Sequence, residues 1–236
     1  MSVDIKETNL KFNSLSERSY TDMVVIHHTG CNDIDASAEE IHGWHLNNGW
    51  AGIGYHYVIR KDGTIERGRP EGAIGSHAYG ENSHTIGIHL SGDFEQAEPT
   101  DEQVDRCGAL VADICDRYGI PINRDHVVGH GELMATSCPG VNLQALLDDG
   151  TITGKAVFYY NQTHGIEAEE AKSEPPAEQG GRGMERFNTV DSLPDWAKPT
   201  VEKMIDKRLL NGNGESLDLS LDMLRTFVVN DRAGLY

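Results

Sequence analysis

Positive charge is scarce in this chain of 236 residues, which has 20 Lys and Arg against 38 Asp and Glu and a formal net charge of −18. Nucleic acids and anionic membranes are bound through clustered basic side chains, so this deficit argues against both as partners. The chain also has no apolar run of membrane-spanning length, and its first residues lack the pattern of a secretory signal. We therefore expect synthesis in the cytoplasm, with release by another factor if the substrate lies outside the membrane.

Cysteine is scarce as well, with four residues in the whole chain. Four are too few for a disulfide scaffold, and their spacing matches no four-cysteine zinc module. Cys107 and Cys115 fall in a predicted amphipathic helix, where packed core thiols are the favoured interpretation. Cys138 lies instead in a loop, directly before Pro139 and Gly140. A thiolate at such a position is stabilised by a nearby cation.

Alternating strand and helix patterns follow one another through the first 150 residues. Strands are predicted at 23–28, 55–60, 64–69, 85–90 and 126–129, with a hairpin turn at 61–63. Capping boxes that begin at Ser37 and at Thr100 each start a helix. This order predicts a layered α/β domain with a mixed central sheet and flanking helices, two of them long, closing near residue 155.

Two histidines and Cys138 are candidate metal ligands. His27 ends an apolar strand, where an unpartnered imidazole would be costly, and His130 follows another short strand. Three such side chains can hold zinc and leave its fourth position open for catalysis. The chain has eleven histidines, so most have ordinary structural roles, and His27 alone could also be a buried structural histidine.

Several ordered blocks carry a resemblance to a known family. They read VIHHT (25–29), WHLNNGW (44–50), IGYHYVI (53–59), DGTIERGRP (62–70), GSHAYGENSHTIGI (75–88) and GHGELMATSCPG (129–140). In this order the chain resembles the zinc-dependent N-acetylmuramoyl-L-alanine amidases, which include phage amidase-type lysozymes and animal peptidoglycan recognition proteins. The resemblance implies an enzyme that cleaves the amide between N-acetylmuramic acid and the L-alanine of the stem peptide by a zinc-activated water.

The resemblance also implies roles for individual residues. It assigns Zn²⁺ to His27, His130 and Cys138, and it places Tyr55 and Thr136 beside the open coordination site as catalytic hydrogen-bonding groups. The general base stays open among Tyr55, the zinc hydroxide and a carboxylate such as Glu132, for which a loop-capping role is an equal alternative. Three further residues match a substrate groove, although each could equally be a turn or packing residue: His77, Asn82 and Trp50.

Strand alternation places His56 on the face opposite Tyr55, so His56 is not expected at the zinc. Two other kinds of protein that bind or cleave peptidoglycan fragments are alternatives to a lytic enzyme. A non-catalytic peptidoglycan-binding protein typically lacks the cysteine that is present here. An intracellular muropeptide-recycling amidase usually carries Asp at this position and has no use for a wall-binding tail.

The rest of the chain predicts a second, smaller module. We divide the chain into a catalytic domain at 1–158, a flexible polar linker at 159–184 and a small helical carboxy-terminal domain at 185–236. The last segment contains Trp196 and two short helical patterns, near 196–210 and 220–229. It is similar to a surface-layer-homology repeat. This similarity favours a role in cell-wall attachment over dimerisation by self-association. The glycine-rich codons before Met184 could also provide an internal start.

This arrangement is typical of a phage endolysin that acts on the peptidoglycan of a Gram-positive host after a holin opens the membrane. A bacterial autolysin from a prophage remnant would have the same sequence features.

Overall fold

A computed structural model describes residues 3–166, 186–194, 197–207, 210, 217, 219–220, 224 and 227–228. The chain divides into two compact units, Met1–Ile166 and Glu167–Tyr236. In the described part of the chain, no helix is both long and apolar enough to cross a membrane.

The first unit is built on a mixed six-stranded sheet with the order β1-β4-β3-β5-β2-β6. Its strands are β1 (Ile5–Lys6), β2 (Met23–His28), β3 (Tyr57–Ile59), β4 (Ile65–Arg67), β5 (Thr85–Leu90) and β6 (Val127–Gly129). β3 and β4 form the predicted antiparallel hairpin, and the other neighbouring pairs are parallel. The mixed sheet expected from the sequence is confirmed.

Helices follow the sheet strands along the first unit. They are α1 (Ala38–Asn47), α2 (Asp101–Tyr118), α3 (His130–Leu133), α4 (Val141–Asp148) and α5 (Thr151–His164). Both predicted capping boxes are present: the hydroxyl of Ser37 accepts from the backbone N–H of Glu40, and that of Thr100 accepts from Gln103. These caps satisfy backbone donors that a helix start would otherwise leave unpaired.

The central strands are buried along almost their whole length. Val24, Val25 and Ile26 of β2 are fully buried, and every residue of β5 is buried. Near-continuous apolar strands of this kind are typical of parallel sheets covered on both faces. The buried sheet provides a rigid platform whose strand ends can carry a site.

Helix α5 is the main difference from the expected architecture. We place the end of the catalytic domain near 155–158, whereas α5 continues to His164. Its polar last turn resembles a linker in sequence, yet Ile152 and Ala156 are buried in the core. Lys155 and Tyr159 also bond the carboxylate of Asp105 on α2, at 3.1 and 2.5 Å. These contacts extend the ordered first unit beyond the predicted boundary.

The second unit has a small core of its own. Its described elements are β7 (Arg186–Phe187), a 3₁₀ turn (Val190–Ser192), α6 (Lys198–Asp206) and β8 (Leu219–Ser220), which pairs antiparallel with β7. α6 matches the first predicted helical pattern, and the strand pair was not predicted. The core is formed by apolar side chains such as Phe187, Leu193, Val201 and Leu224. Trp196, Met184 and most of the second helical pattern lie outside the described residues.

Candidate metal centre

Two neighbouring strands and the loop after α3 bring the predicted ligands together. His27 lies near the carboxyl end of β2, and His130 directly follows β6, the parallel neighbour of β2 in which Gly129 pairs with Ile26. Cys138 comes from the loop between α3 and α4. Because the carboxyl ends of parallel strands meet at one edge of the sheet, residues more than a hundred positions apart become neighbours.

The three side chains have the spacing of a metal site. Their potential ligand atoms all lie within 4.8 Å of one another, and no other such trio is found in the described ranges. The Sγ of Cys138 is 3.6 Å from Nδ1 of His27. Two ligands of one tetrahedral zinc, at ordinary Zn–N and Zn–S lengths, are about 3.5 Å apart. Two imidazoles and a thiolate in this arrangement therefore fit zinc.

Burial controls the protonation of these ligands. It lowers the pKa of His27 far below its ordinary value, with added repulsion from His77 and His130, and it lowers the pKa of His130. Both imidazoles are therefore neutral and keep a lone pair for a metal. Burial raises the pKa of the Cys138 thiol to about 12. The thiol thus keeps its proton unless a cation lies beside it.

Tyr55 lies beside the trio. Its ring centroid is 5.0 Å from that of His27. Burial, with a smaller effect from Cys138, raises the pKa of Tyr55, so the phenol keeps a proton that it can donate. His56, the next residue, turns elsewhere: its Nδ1 accepts from the N–H of Gly87 at 3.0 Å. It does not join the trio, as its sequence position predicted.

Thr136 lies in the exposed loop that precedes Cys138. Its Oγ1 accepts from the backbone N–H of Cys138 at 3.3 Å. The hydroxyl therefore helps to hold the loop that carries the third ligand. Thr136 and Cys138 both line a shallow depression that also includes Ser137 and Val141.

The three predicted groove residues have different positions. Trp50 is 43% exposed, with its ring 4.5 Å from that of His45, as a groove wall requires. Asn82 instead fastens its own loop, because its Oδ1 accepts from the N–H groups of His77 and Ala78. His77 is buried, and its Nδ1 lies 3.0 Å from Nε2 of His27. Its place in a substrate groove stays a prediction.

Comparison of the sequence with known proteins identifies the family to which the chain belongs. A sequence profile described as N-acetylmuramoyl-L-alanine amidase matches residues 17–141. The chain belongs to the N-acetylmuramoyl-L-alanine amidase family. The endolysin of Escherichia phage T7 is 32% identical over 134 residues, which cover 54% of this chain and 86% of that protein. Peptidoglycan-recognition protein SC2 of Drosophila melanogaster is 33% identical over 132 residues, covering 53% and 71%.

Solved structures of related proteins are similar to more than half of the chain. The N-acetylmuramoyl-L-alanine amidase LysC from Clostridium intestinale URNW has a TM-score of 0.55 and 39% identity, covering 60% of this chain and 91% of its own. Drosophila PGRP-LB has a TM-score of 0.55 and 26% identity, covering 61% and 92%. The residues that the family profile matches, 17–141, lie in the first unit and contain the whole trio.

Glu132 has a structural role in the amidase. Its Oε1 accepts from the N–H of Gly129 at 2.6 Å, from Arg124 at 2.7 Å and from Gln144 at 3.0 Å. Burial alone would raise the pKa of Glu132, but these hydrogen bonds lower it. The loop-capping alternative is therefore the one observed, and a carboxylate whose pKa is lowered is a poor general base.

Two histidines that pack against Tyr55 were not singled out from the sequence. Nδ1 of His45 accepts from the N–H of Gly54 at 3.0 Å, and burial lowers the pKa of His45 to about 4. His89 is 1% exposed and its ring centroid lies 4.8 Å from that of Tyr55. Their sequence patterns are those of ordinary helix and strand residues, so only the fold shows that they pack around the site.

Proposed function

We propose that this chain is a zinc-dependent endolysin that cleaves the amide bond between N-acetylmuramic acid and the L-alanine of the stem peptide. The observation that carries the proposal is the trio of His27, His130 and Cys138, with zinc-like spacing, in a chain of the amidase family. Non-catalytic recognition proteins are disfavoured because the cysteine ligand is present. A recycling amidase is disfavoured because a second unit follows the catalytic one.

Each residue of the site has a distinct task in this reaction. His27, His130 and Cys138 would hold the metal. A zinc ion with an open position supplies Lewis acidity toward a carbonyl oxygen and a water nucleophile at neutral pH. Tyr55, protonated and beside the trio, donates a hydrogen bond to the oxyanion that develops on the lactyl carbonyl. Thr136 orders the loop of Cys138 and offers a weaker hydrogen bond at the same centre.

The overall reaction is a hydrolysis. The oxygen of water bonds to the lactyl carbonyl carbon, the carbon–nitrogen bond breaks, and the nitrogen of L-alanine leaves as a protonated amine. Because Glu132 is hydrogen bonded elsewhere and its pKa is lowered, it does not take the role of general base. Trp50 provides an exposed aromatic surface for the glycan or stem peptide.

The expected substrate is Gram-positive peptidoglycan, reached after holin-type release from the host cytoplasm. Support comes from the identity of 39% with an amidase of Clostridium intestinale, against 32% with the endolysin of phage T7. The second unit would attach the enzyme to the wall, with self-association as the alternative role. Sedimentation of full-length chain and residues 1–166 with sacculi separates the two, since wall attachment requires weaker retention of the shorter chain.

Digestion of purified sacculi by the full chain tests the activity directly. We expect new L-alanine amino termini, no new reducing sugar ends, loss of activity with a chelator and recovery with zinc. New reducing ends instead would identify a glycosidase and contradict the proposal.

A matched pair of cysteine variants tests the ligand set. Cys138→Ser should lose bound zinc, measured by elemental analysis, together with at least about 100-fold in activity, since a metal ligand is removed. Cys31 is also a free cysteine, exposed and outside the trio, so Cys31→Ser should keep both. Full zinc occupancy and activity in Cys138→Ser would exclude it as a ligand.

A further inference from the structure

A row of buried hydrogen bonds lies behind His27. Its Nε2 is 3.0 Å from Nδ1 of His77, and Nε2 of His77 is 3.4 Å from Oγ1 of Thr85. Oγ1 of Thr85 in turn donates to the backbone carbonyl of Glu81 at 2.8 Å. Thr85 and His27 are fully buried, and His77 is 8% exposed. Water therefore does not compete for these positions.

The bond from Thr85 to the Glu81 carbonyl determines which atom donates in each of the other hydrogen bonds. Because the proton of the Thr85 hydroxyl points to the Glu81 carbonyl, Thr85 offers a lone pair to His77, whose Nε2 must carry hydrogen. A neutral imidazole has one N–H, so Nδ1 of His77 accepts from Nε2 of His27. His27 is then left with a lone pair on Nδ1, the nitrogen that lies 3.6 Å from Sγ of Cys138.

We infer that Thr85 and His77 are positioning residues that fix the tautomer and the ring orientation of His27, so that its Nδ1 is the nitrogen presented to zinc. The inference rests on the proposed zinc dependence. Metal-binding histidines are commonly oriented through their second ring nitrogen, by a carboxylate or a carbonyl. Here another histidine, directed by a threonine, performs that task.

The surroundings of His77 hold its ring in one place. A Cβ on Gly87 would lie 2.6 Å from Cγ of His77, and one on Gly75 would lie 2.5 Å from Cδ2. Both distances are too short for real contacts, so a side chain at either glycine would displace the imidazole ring of His77. The backbone N–H of His77 also donates to Oδ1 of Asn82 at 2.7 Å.

The charges around His77 agree with a neutral ring. The charged or titratable groups that act on it most strongly are His56, His130 and Arg69, all of them basic. A second proton on His77 would put an N–H opposite His27 and force the lone pair of His27 onto Nε2. The nitrogen beside Cys138, Nδ1 of His27, would then carry hydrogen and have no lone pair for zinc.

Zinc affinity of four variants tests the inference in the full-length chain, by competition with a chelator of known affinity. His77→Phe removes the acceptor and should weaken zinc binding about 10- to 100-fold. Thr85→Val removes the hydroxyl at nearly constant volume and should weaken it about tenfold, whereas Thr85→Ser restores the hydroxyl and the affinity. His42→Phe is the matched control, since His42 is a buried histidine bonded to Ile53 N and Lys11 O.

A second readout does not involve metal. Proton–nitrogen correlation spectra of the imidazoles in zinc-free protein should show hydrogen on Nε2 of His27 in the original chain and in Thr85→Ser. Thr85→Val and His77→Phe should show a mixture of both tautomers. A purely structural role for His77 and Thr85 would leave this spectrum unchanged.

The outcomes separate the inference from the proposed function. An original chain that does not bind zinc would contradict the proposed function and the inference together. An original chain that binds zinc, with unchanged affinity and unchanged His27 tautomer in Thr85→Val, would contradict the inference alone. The Thr85 pair gives this answer even if His77→Phe does not fold.

Discussion

Removal of water determines what each atom of the metal centre can do. Burial keeps His27 and His130 neutral and Tyr55 protonated, so two groups are ready to accept a metal and one is ready to donate a hydrogen bond. In the same place burial raises the pKa of Cys138 to about 12. A divalent cation that replaces the thiol proton would remove this cost, so the site is poised for a metal.

Tyr55→Phe tests the donor role at the scale of one oxygen atom. If the phenol stabilises the oxyanion, kcat should fall about 100- to 1,000-fold while the zinc content and KM change little. The measurement is steady-state hydrolysis of a soluble muramyl peptide, with zinc determined on the same samples.

Tyr57→Phe is the control for this prediction. Tyr57 is a buried tyrosine close to Tyr55 in the sequence, but its hydroxyl donates to Glu71 rather than to the site. Its loss should cost about 1 kcal/mol in the free energy of unfolding and leave kcat unchanged. Equal kcat values for the two variants would remove Tyr55 from the mechanism.

The sequence predicts some site residues and not others for a physical reason. Ordered blocks locate His27, Tyr55, His130 and Cys138, which lie at strand ends and in loops, where a polar side chain without a partner is conspicuous. The position of His77 depends instead on the approach of β5 to its loop, seen in the close contact with Gly87. Nothing in the local sequence shows that the ring turns inward, so the sequence alone places it in the groove.

At the scale of elements, local signals and long-range contacts were predicted with different success. Capping boxes at Ser37 and Thr100 act over three residues, and both helices begin where expected. The end of the first unit depends on the packing of α5 against α2, through contacts such as Lys155 with Asp105. A pattern that considers only neighbouring residues takes the polar end of α5 for a linker.

Two glycines provide a matched test of this helix contact. A Cβ on Gly108 of α2 would lie 2.5 Å from Cβ of Lys155 and 3.2 Å from its backbone carbon, whereas one on Gly154 of α5 meets nothing within 4 Å. Gly108→Ala should therefore reduce the free energy of unfolding by about 1–2 kcal/mol, because α5 must move away from α2.

Gly154→Ala should raise the free energy of unfolding by about 0.5–1 kcal/mol, because alanine is the better helix residue. Urea unfolding followed by circular dichroism measures both variants. Stabilisation by both substitutions would mean that the two helices do not pack closely at Gly108.

At the scale of the whole molecule, the two units differ in how they are stabilised. The first unit has a large continuous core around β2, β5 and α2, and it also buries several polar histidines. The second unit has a short apolar cluster around Phe187 and Val201. Among the described residues of this unit, a core of this size contributes little net stability.

Buried histidines outside the metal ligands should make the first unit sensitive to acid. Burial lowers the pKa of His56 and that of His89 to about 3. Both values lie below the unfolded value of about 6.5, so the unfolded chain binds these protons first and stability falls as the pH drops below 6.5. Each histidine costs about 1.4 kcal/mol per pH unit, or together about 5–6 kcal/mol at pH 4.5.

Urea unfolding of zinc-free protein between pH 7 and pH 4.5 measures this loss, at pH values above the ordinary pKa of Asp and Glu, about 3.9 and 4.3. His89→Phe should reduce the loss at pH 4.5 by about 3 kcal/mol, the share of one such histidine. It also replaces Nδ1 of His89, a buried nitrogen without a hydrogen-bond partner. The control is His84→Phe, because hydrogen bonds from His84 to Asp22 and Glu81 outweigh its burial and raise its pKa. That substitution should not lessen the loss. Since about 5–6 kcal/mol approaches the whole stability of many domains, a profile that stayed flat down to pH 4.5 would show that these imidazoles are not buried in the folded chain.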